Sequence, residues 1–213
     1  MQRRYRSALR DARTADTRRR ILAAAGELFA AAGFVGATVP AIATRAGVSQ
    51  PTVYAVFGSK AGIMRALLTQ LEDDAGASGW WLRIEEAPDA RERLRRFAGW
   101  SRALYSTGRA LISAALGATS EPSVRELTGQ GDRNRRAWLR PVIASLAEEG
   151  ALRPGLGEQE ALDEAWMLTG PALYLDATTG CGWPDGAYER WLGDVLQDRL
   201  LGRPGRSART ADR

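Results

Sequence analysis

The 213-residue chain has no histidine and one cysteine, Cys181. The first absence removes histidine triads, histidine general bases and histidine metal ligands from consideration. The second excludes an intrachain disulfide and a cysteine-rich zinc site, the pattern of a reducing compartment. Long apolar runs are missing as well. The most apolar window, Ile21 to Ala43, is mostly alanine and glycine, holds Glu27 in its middle and is interrupted by Gly33, Gly36 and Pro40, so no membrane span is expected. The first twenty residues carry eight arginines but no apolar stretch of signal type, and Asp11 and Asp16 disfavour an organelle presequence. The expectation is a cytoplasmic protein with no metal and no cofactor.

What is present is an ordinary folded composition, 45% apolar and 26% charged, in a chain long enough for one sizeable core or two small ones. Charge is uneven. Residues 1–66 hold eleven basic side chains against Asp11, Asp16 and Glu27, whereas the remainder holds 19 against 22. A basic front ahead of a mildly acidic body points to a polyanion, with a merely solvated face as the alternative.

Helical spacing recurs throughout, and strand alternation is nearly absent. Ile21, Leu22, Ala25, Leu28, Phe29 and Ala32 form one stripe that ends at Gly33, a first helix of about five turns. Thr38 caps a short helix over Val39–Ala46 with Pro40 in its first turn, and Gly47 supplies the left-handed stop. Ser49 caps a third helix with Pro51 in its first turn, running to Phe57 and Gly58, and Ser59 caps a fourth. Further helical segments are predicted at about 59–74, 89–107, 109–118, 121–149, 158–179 and 186–201, separated by Gly- and Pro-containing stretches that include Gly76–Gly79. Pro171 is expected to bend the 158–179 helix by freeing the carbonyl of Met167. The fold class is therefore all-α with about nine helices. Its parts are a flexible basic arm over 1–13, a helix-turn-helix domain over 14–58, a helical body over 59–202 with 59–74 as connector, and a disordered basic tail over 203–213.

Two short helices joined by Gly47-Val48-Ser49 make a helix-turn-helix, whose second helix is placed to enter a DNA major groove. Gly47 permits the turn, Val48 plugs the space between the helices, and Ala43 and Ala46 allow close approach. Ile42, Val53 and Phe57 tie both to Leu28 and Phe29. The exposed side of the third helix is then Gln50, Pro51, Thr52, Tyr54 and Ala55. A glutamine amide matches adenine N6 and N7, and Thr52 and Pro51 match a thymine methyl. Tyr54 and Lys60 suit phosphate oxygens, and backbone N–H groups at Ser59–Lys60 favour an anion.

The block Thr38…Ile42-Ala43…Ala46-Gly47-Val48-Ser49-Gln50-Pro51-Thr52-Val53-Tyr54…Phe57-Gly58-Ser59-Lys60 resembles the DNA-binding signature of the TetR family of bacterial transcriptional regulators. The preceding Ile21-Leu22-Ala23-Ala24-Ala25…Leu28-Phe29…Gly33-Phe34 resembles that family's first helix. The resemblance implies phosphate contacts at Thr38 and Tyr54, groove-facing positions at Gln50, Pro51, Thr52 and Ala55 behind the Ser49 cap, and a family lysine at Lys60. Val56 and Pro40 depart from the family pattern at positions that often contact DNA. The family also implies a C-terminal domain that binds a small molecule and forms a homodimer through its last two helices. Weaker similarity at Glu149-Gly150-Ala151-Leu152-Arg153-Pro154, Leu168-Thr169-Gly170-Pro171-Ala172-Leu173-Tyr174 and Trp191-Leu192-Gly193-Asp194-Val195-Leu196 supports that placement.

Apolar stripes agree with it. Leu162, Trp166 and Leu173 on one late helix, and Tyr188, Trp191, Leu192, Val195 and Leu196 on the last, suit a dimer face or an intrachain core. Trp100, Leu104, Tyr105, Trp138, Trp166, Met167 and Tyr174 suit an aromatic ligand pocket or core filling. Arg140 and Asp176 either pair or meet a ligand. The arginine run Arg91, Arg93, Arg95 and Arg96 reads as a solvated helix face, and Cys181, between two glycines, would sense oxidants if its thiolate were favoured. The expected function is a repressor that binds a palindromic operator as a homodimer and is released by a small apolar or aromatic effector. The alternative is a nonspecific DNA-binding protein without an effector. Enzymatic chemistry is not expected: the paired carboxylates Asp73-Asp74 and Glu148-Glu149 are adjacent and diverge on a helix surface, and no phosphate-cradling glycine motif is present.

Overall fold

A computed structural model describes the backbone of residues 2–202 and the side chains of residues 12–202. Its elements are α1 (Gln2–Gly36), α2 (Val39–Ala46), α3 (Gln50–Phe57), α4 (Lys60–Asp74), α5 (Ala77–Glu85), α6 (Ala90–Thr107), α7 (Arg109–Leu116), α8 (Pro122–Glu148), α9 (Glu158–Leu168), α10 (Pro171–Leu175), a π-helical turn (Asp176–Gly180) and α11 (Asp185–Leu200). The described residues contain no strand, and an isolated bridge joins Leu152 to Leu201. The class read from periodicity is the class adopted.

The chain packs as two compact units. One comprises residues up to Asp74 together with Gly108–Gly129, the other Ala75–Thr107 together with the chain from Gln130 on. In the first, the α1 stripe is buried at Ile21, Leu22, Ala25 and Phe29, and helical geometry breaks at Gly33 (φ 68°, ψ 177°), where the stripe ends. Ile63 and Met64 of α4, Ala114 and Ala115 of α7, and Val124 of α8 complete this core. A domain boundary at residue 58 therefore cuts through a packed core: an amphipathic α4 buries its apolar side against α1 rather than serving only as a connector. The backbone of residues 2–13 continues α1, in place of the flexible arm expected there. The tail 203–213 lies outside the described residues.

In the second unit α11 packs mainly on α6 and also meets α9. Leu94, Phe97, Trp100, Leu139, Ile143, Leu146, Leu162, Tyr174, Tyr188, Leu192 and Leu196 are buried here. Helix α5 was not expected, because Gly76 and Gly79 read as a linker. Its helicity is supported by packing: Ile84 is buried, Trp81 meets Phe97 at 6.3 Å, and the Trp80 ring lies where a Cβ on Gly99 would come within 2.8 Å. Of the arginine run only Arg95 is exposed; the other three are half-buried and bonded rather than solvated. Arg93 donates to Ser145 Oγ (3.2 Å) and Glu149 Oε1 (2.6 Å), Arg91 to Gln197 Oε1 (3.2 Å), and Arg96 to Glu92 Oε1 (2.9 Å) and the Arg83 carbonyl (2.5 Å).

Pro171 breaks its helix instead of bending it. Helix α9 stops at Leu168, Gly170 is extended (φ −68°, ψ 142°), and Pro171 opens α10, where its missing N–H is harmless. Side chains reach the carbonyls at the break. Tyr105 Oη donates to the Thr169 carbonyl (2.6 Å) and the Arg135 guanidinium to the Trp166 carbonyl, while Thr169 Oγ1 (2.8 Å) joins its own N–H (3.0 Å) on the Ala165 carbonyl. Arg135, 8% exposed, also pairs with Asp132 (2.8 Å) and stacks on the Trp166 ring at 4.6 Å. A cation at a helix C-terminus opposes the negative end of the dipole, which accounts for a buried arginine at this place.

Candidate nucleic-acid interface

Helices α2 and α3 are set by their caps. Thr38 Oγ1 accepts from the Ala41 N–H (3.3 Å) and Ser49 Oγ from the Thr52 N–H (3.3 Å), each satisfying a first-turn donor. Between them Gly47 is left-handed (φ 64°, ψ 40°), a conformation that costs a side-chain-bearing residue about 1–2 kcal/mol. Its N–H donates to the Thr44 carbonyl (3.1 Å) and the next N–H, of Val48, to the Ala43 carbonyl (3.0 Å). Ile42, Ala43, Ala46 and Val53 are buried and Val48 and Phe57 half-buried, so the turn is held from inside as the residue sizes imply. The start of α4 lies hard against the end of α3: a Cβ on Gly62 would stand 2.0 Å from the Phe57 carbonyl oxygen, so only glycine fits.

With Val53 facing inward, α3 leaves Gln50, Pro51, Tyr54 and Ala55 exposed, Tyr54 by 50%. Thr52 is half-buried, and its hydroxyl sits 2.8 Å from Ser49 Oγ, so the two hydroxyls serve the cap of α3 as well as any outside partner. Thr38 is exposed at the start of α2.

Lys60 differs from the sequence expectation. Its ammonium donates to the carbonyls of Phe34 (2.7 Å) and Ala37 (2.9 Å), makes a longer contact with that of Val35 (3.5 Å), and lies 4.3 Å from the Phe34 ring centroid. Burial pushes it below the ordinary lysine range, against the opposing pull of the Glu121 carboxylate. Arg20 was read only as part of the basic front, yet it acts locally too: Nε and Nη2 donate to the Ala46 carbonyl (3.0 and 2.7 Å) and Nη2 to that of Gly47 (2.8 Å). No spacing rule marks this pair, since their partners lie more than twenty residues away.

The residues proposed for a ligand pocket fall in the second unit but not all inside it. Trp100, Leu104, Tyr105 and Tyr174 are buried and Trp138 and Trp166 half-buried, whereas Met167 is 63% exposed and lines no interior. Ring contacts link Trp100 to Trp138 (6.1 Å), Tyr105 to Tyr174 (5.6 Å), Tyr174 to Tyr188 (5.1 Å) and Tyr188 to Trp191 (6.1 Å). Among the described residues the buried Tyr188 hydroxyl has no hydrogen-bond partner. Of the dimer-face residues, Leu162, Tyr188, Leu192 and Leu196 are buried within this unit, so they are core; Trp166, Leu173, Trp191 and Val195 are half-buried. Arg140, Asp176 and Cys181 are exposed. Among the described residues no group of three candidate ligands is placed to hold a metal ion, and no helix is long and apolar enough to cross a membrane.

Comparison with known proteins bears on this geometry. Residues 21–67 match the profile of bacterial regulatory proteins, tetR family. The HTH-type transcriptional regulator YdeS of Bacillus subtilis is 27% identical over 200 residues, covering 90% of this chain and 92% of that protein. Among solved structures, a protein from Saccharomonospora viridis in complex with choline superposes with a TM-score of 0.70 at 21% identity, covering 89% of this chain and 100% of that one. FadR of Bacillus subtilis in complex with stearoyl-CoA gives a TM-score of 0.67 at 19% identity, covering 83% and 96%. The profile match spans the residues that build the buried turn and its exposed helix, and the likeness in fold extends over most of the chain: residues 21–67 form a helix-turn-helix domain of the tetR family of bacterial regulatory proteins, in a chain similar over 90% of its length to an HTH-type transcriptional regulator.

Proposed function

We propose that the protein is a ligand-responsive repressor that binds a palindromic operator as a homodimer, with α3 in the major groove. The observation that carries this reading is the two-sidedness of α3, which buries Val53 and leaves Gln50, Pro51, Tyr54 and Ala55 exposed in a row beside the exposed cap Thr38. Gln50 is assigned to an adenine edge, Pro51, Thr52 and Ala55 to thymine methyl groups, and Thr38, Ser49 and Tyr54 to phosphates. An effector site in the second unit is supported by its contiguous aromatic rings and the unpaired buried hydroxyl of Tyr188. The similar proteins solved with choline and with stearoyl-CoA carry ligands of unlike chemistry, so they support a small-molecule site and no particular effector. For dimerisation the later helices and their connections offer exposed Met167 and Trp183, with Leu173, Trp191 and Val195 half-buried on the same stretch of chain. The effector acts by binding one conformation better than the other.

The test is selection of bound duplexes from a random pool by the purified protein at roughly physiological salt. A two-fold symmetric motif with half-sites about one helical turn apart, or a multiple of that, is expected. Recovery of unrelated sequences, with a steep salt dependence on every duplex, would replace this reading with nonspecific binding.

A further inference from the structure

Lys60 is the single lysine among 30 basic side chains. A lysine opening the helix after a helix-turn-helix invites a phosphate assignment, yet this one is already occupied. An ammonium has three donors. Two of them make short bonds to the Phe34 and Ala37 carbonyls, the third faces that of Val35, and the Phe34 ring covers the cation at 4.3 Å. These carbonyls belong to the end of α1 and to the residue just before Thr38, the cap of α2. At the other end of α2, Arg20 holds the carbonyls of Ala46 and Gly47. Helix α2 is thus fastened at both ends by cations from its two neighbours, α4 and α1. Each cation meets the negative end of a helix, where its charge is stabilising.

We propose that Lys60 is a positioning residue: its ammonium seats the α1–α2 connection, and with it Thr38, on the first turn of α4, and it does not itself neutralise a DNA phosphate. A phosphate would have to displace two short carbonyl bonds from a partly desolvated cation with Glu121 close enough to act on it. A shift of the first turn of α4 would instead carry Thr38 with it. Phosphate contacts set register and base contacts specify, so loss of this seat weakens the complex that needs register more than the complex that does not.

Two measurements test the assignment. In full-length protein labelled with 15N-lysine, the free protein is expected to show one side-chain ammonium signal at near-neutral pH, because bonded ammonium protons exchange slowly. The signal should persist on adding DNA without coupling to phosphorus. Absence of that signal until DNA is added, or a phosphorus coupling across the bond, overturns the proposal. In the second measurement, Lys60→Met is expected to lower operator affinity by about tenfold or more. Random-DNA affinity should stay within about twofold and the salt slope should not change; Lys60→Arg, which keeps charge and donors, should restore most of the loss. A slope reduced by about 0.9, with equal losses on both DNAs, marks a phosphate contact and overturns it. Only this arm rests on the operator-binding reading. Should the parent protein bind all duplexes alike, that reading fails, and the ammonium signal of the unaltered protein still decides whether Lys60 is a clamp.

Discussion

At Leu192 the sequence leaves a dimer face and an intrachain core open and the folded chain buries the side chain, and Leu192→Ala separates the two roles. The side chain is 0% exposed on α11, and the adjacent Gly193 lies so close to α6 that a Cβ there would stand 3.4 Å from Arg95 Cγ and 3.8 Å from Ala98 Cβ. A site so enclosed relaxes little around a deleted isobutyl group, so the loss combines transfer of the removed carbons with a residual cavity, about 3 kcal/mol within a usual range of about 2–5. For a chain of this size each kcal/mol moves the midpoint by roughly 2–4 °C, giving a fall of roughly 6–12 °C. Calorimetry at two protein concentrations measures the fall, and sedimentation below the transition measures assembly. The expected result is a lower midpoint at both concentrations with the sedimentation of the parent. A variant that melts with the parent but sediments as a smaller species would return Leu192 to a dimer face and refute the burial argument.

Gln50→Ala should cost ~1–3 kcal/mol on the selected operator and nothing on random DNA, by titration of each duplex; equal losses would remove base reading from Gln50. Gly47→Ala places a methyl-bearing residue at φ 64° and should destabilise the first unit by about 1–2 kcal/mol in urea unfolding, whereas an unchanged midpoint would mean that the turn is not held left-handed. Burial raises the phenol pKa of Tyr105 and of Tyr188 well above the ordinary value of 10.0. Above about pH 10 the unfolded chain releases these protons while the folded chain keeps them, so stability present below that pH is lost as pH rises, by up to about 1.4 kcal/mol per pH unit for each tyrosine. Urea unfolding followed at pH 9, 10 and 11, with tyrosinate absorbance as the second signal, would contradict this if the midpoint did not move.

Much of the first unit was legible before folding. The Ile21–Phe29 stripe, the Thr38 and Ser49 caps, the left-handed Gly47 and the inward Val53 are set by neighbours three or four residues away, and local rules read that range well. Helix α5 was missed because two glycines outweighed the tryptophans, and packing of Trp80 and Trp81 against α6 reverses that balance. The choice between dimer face and intrachain core, left open for Leu162, Tyr188, Leu192 and Leu196, shows the limit of periodicity. A stripe tells which side of a helix is apolar and not what covers it.

The two prolines inside predicted helices make the division plain. Pro141 lies within a continuous α8, while Pro171, preceded by Gly170, separates α9 from α10. The sequence by itself determined the all-α class, the helix-turn-helix and the exposed row on α3, because these follow from side-chain period and from caps within one turn. Only the tertiary structure decided which charges remain free. Lys60 reaches carbonyls 23 and 26 residues away, Arg20 reaches 26 and 27, and Arg135 reaches 31. A cation meets whichever unpaired helix end the fold brings near it, and no local pattern records which end that is.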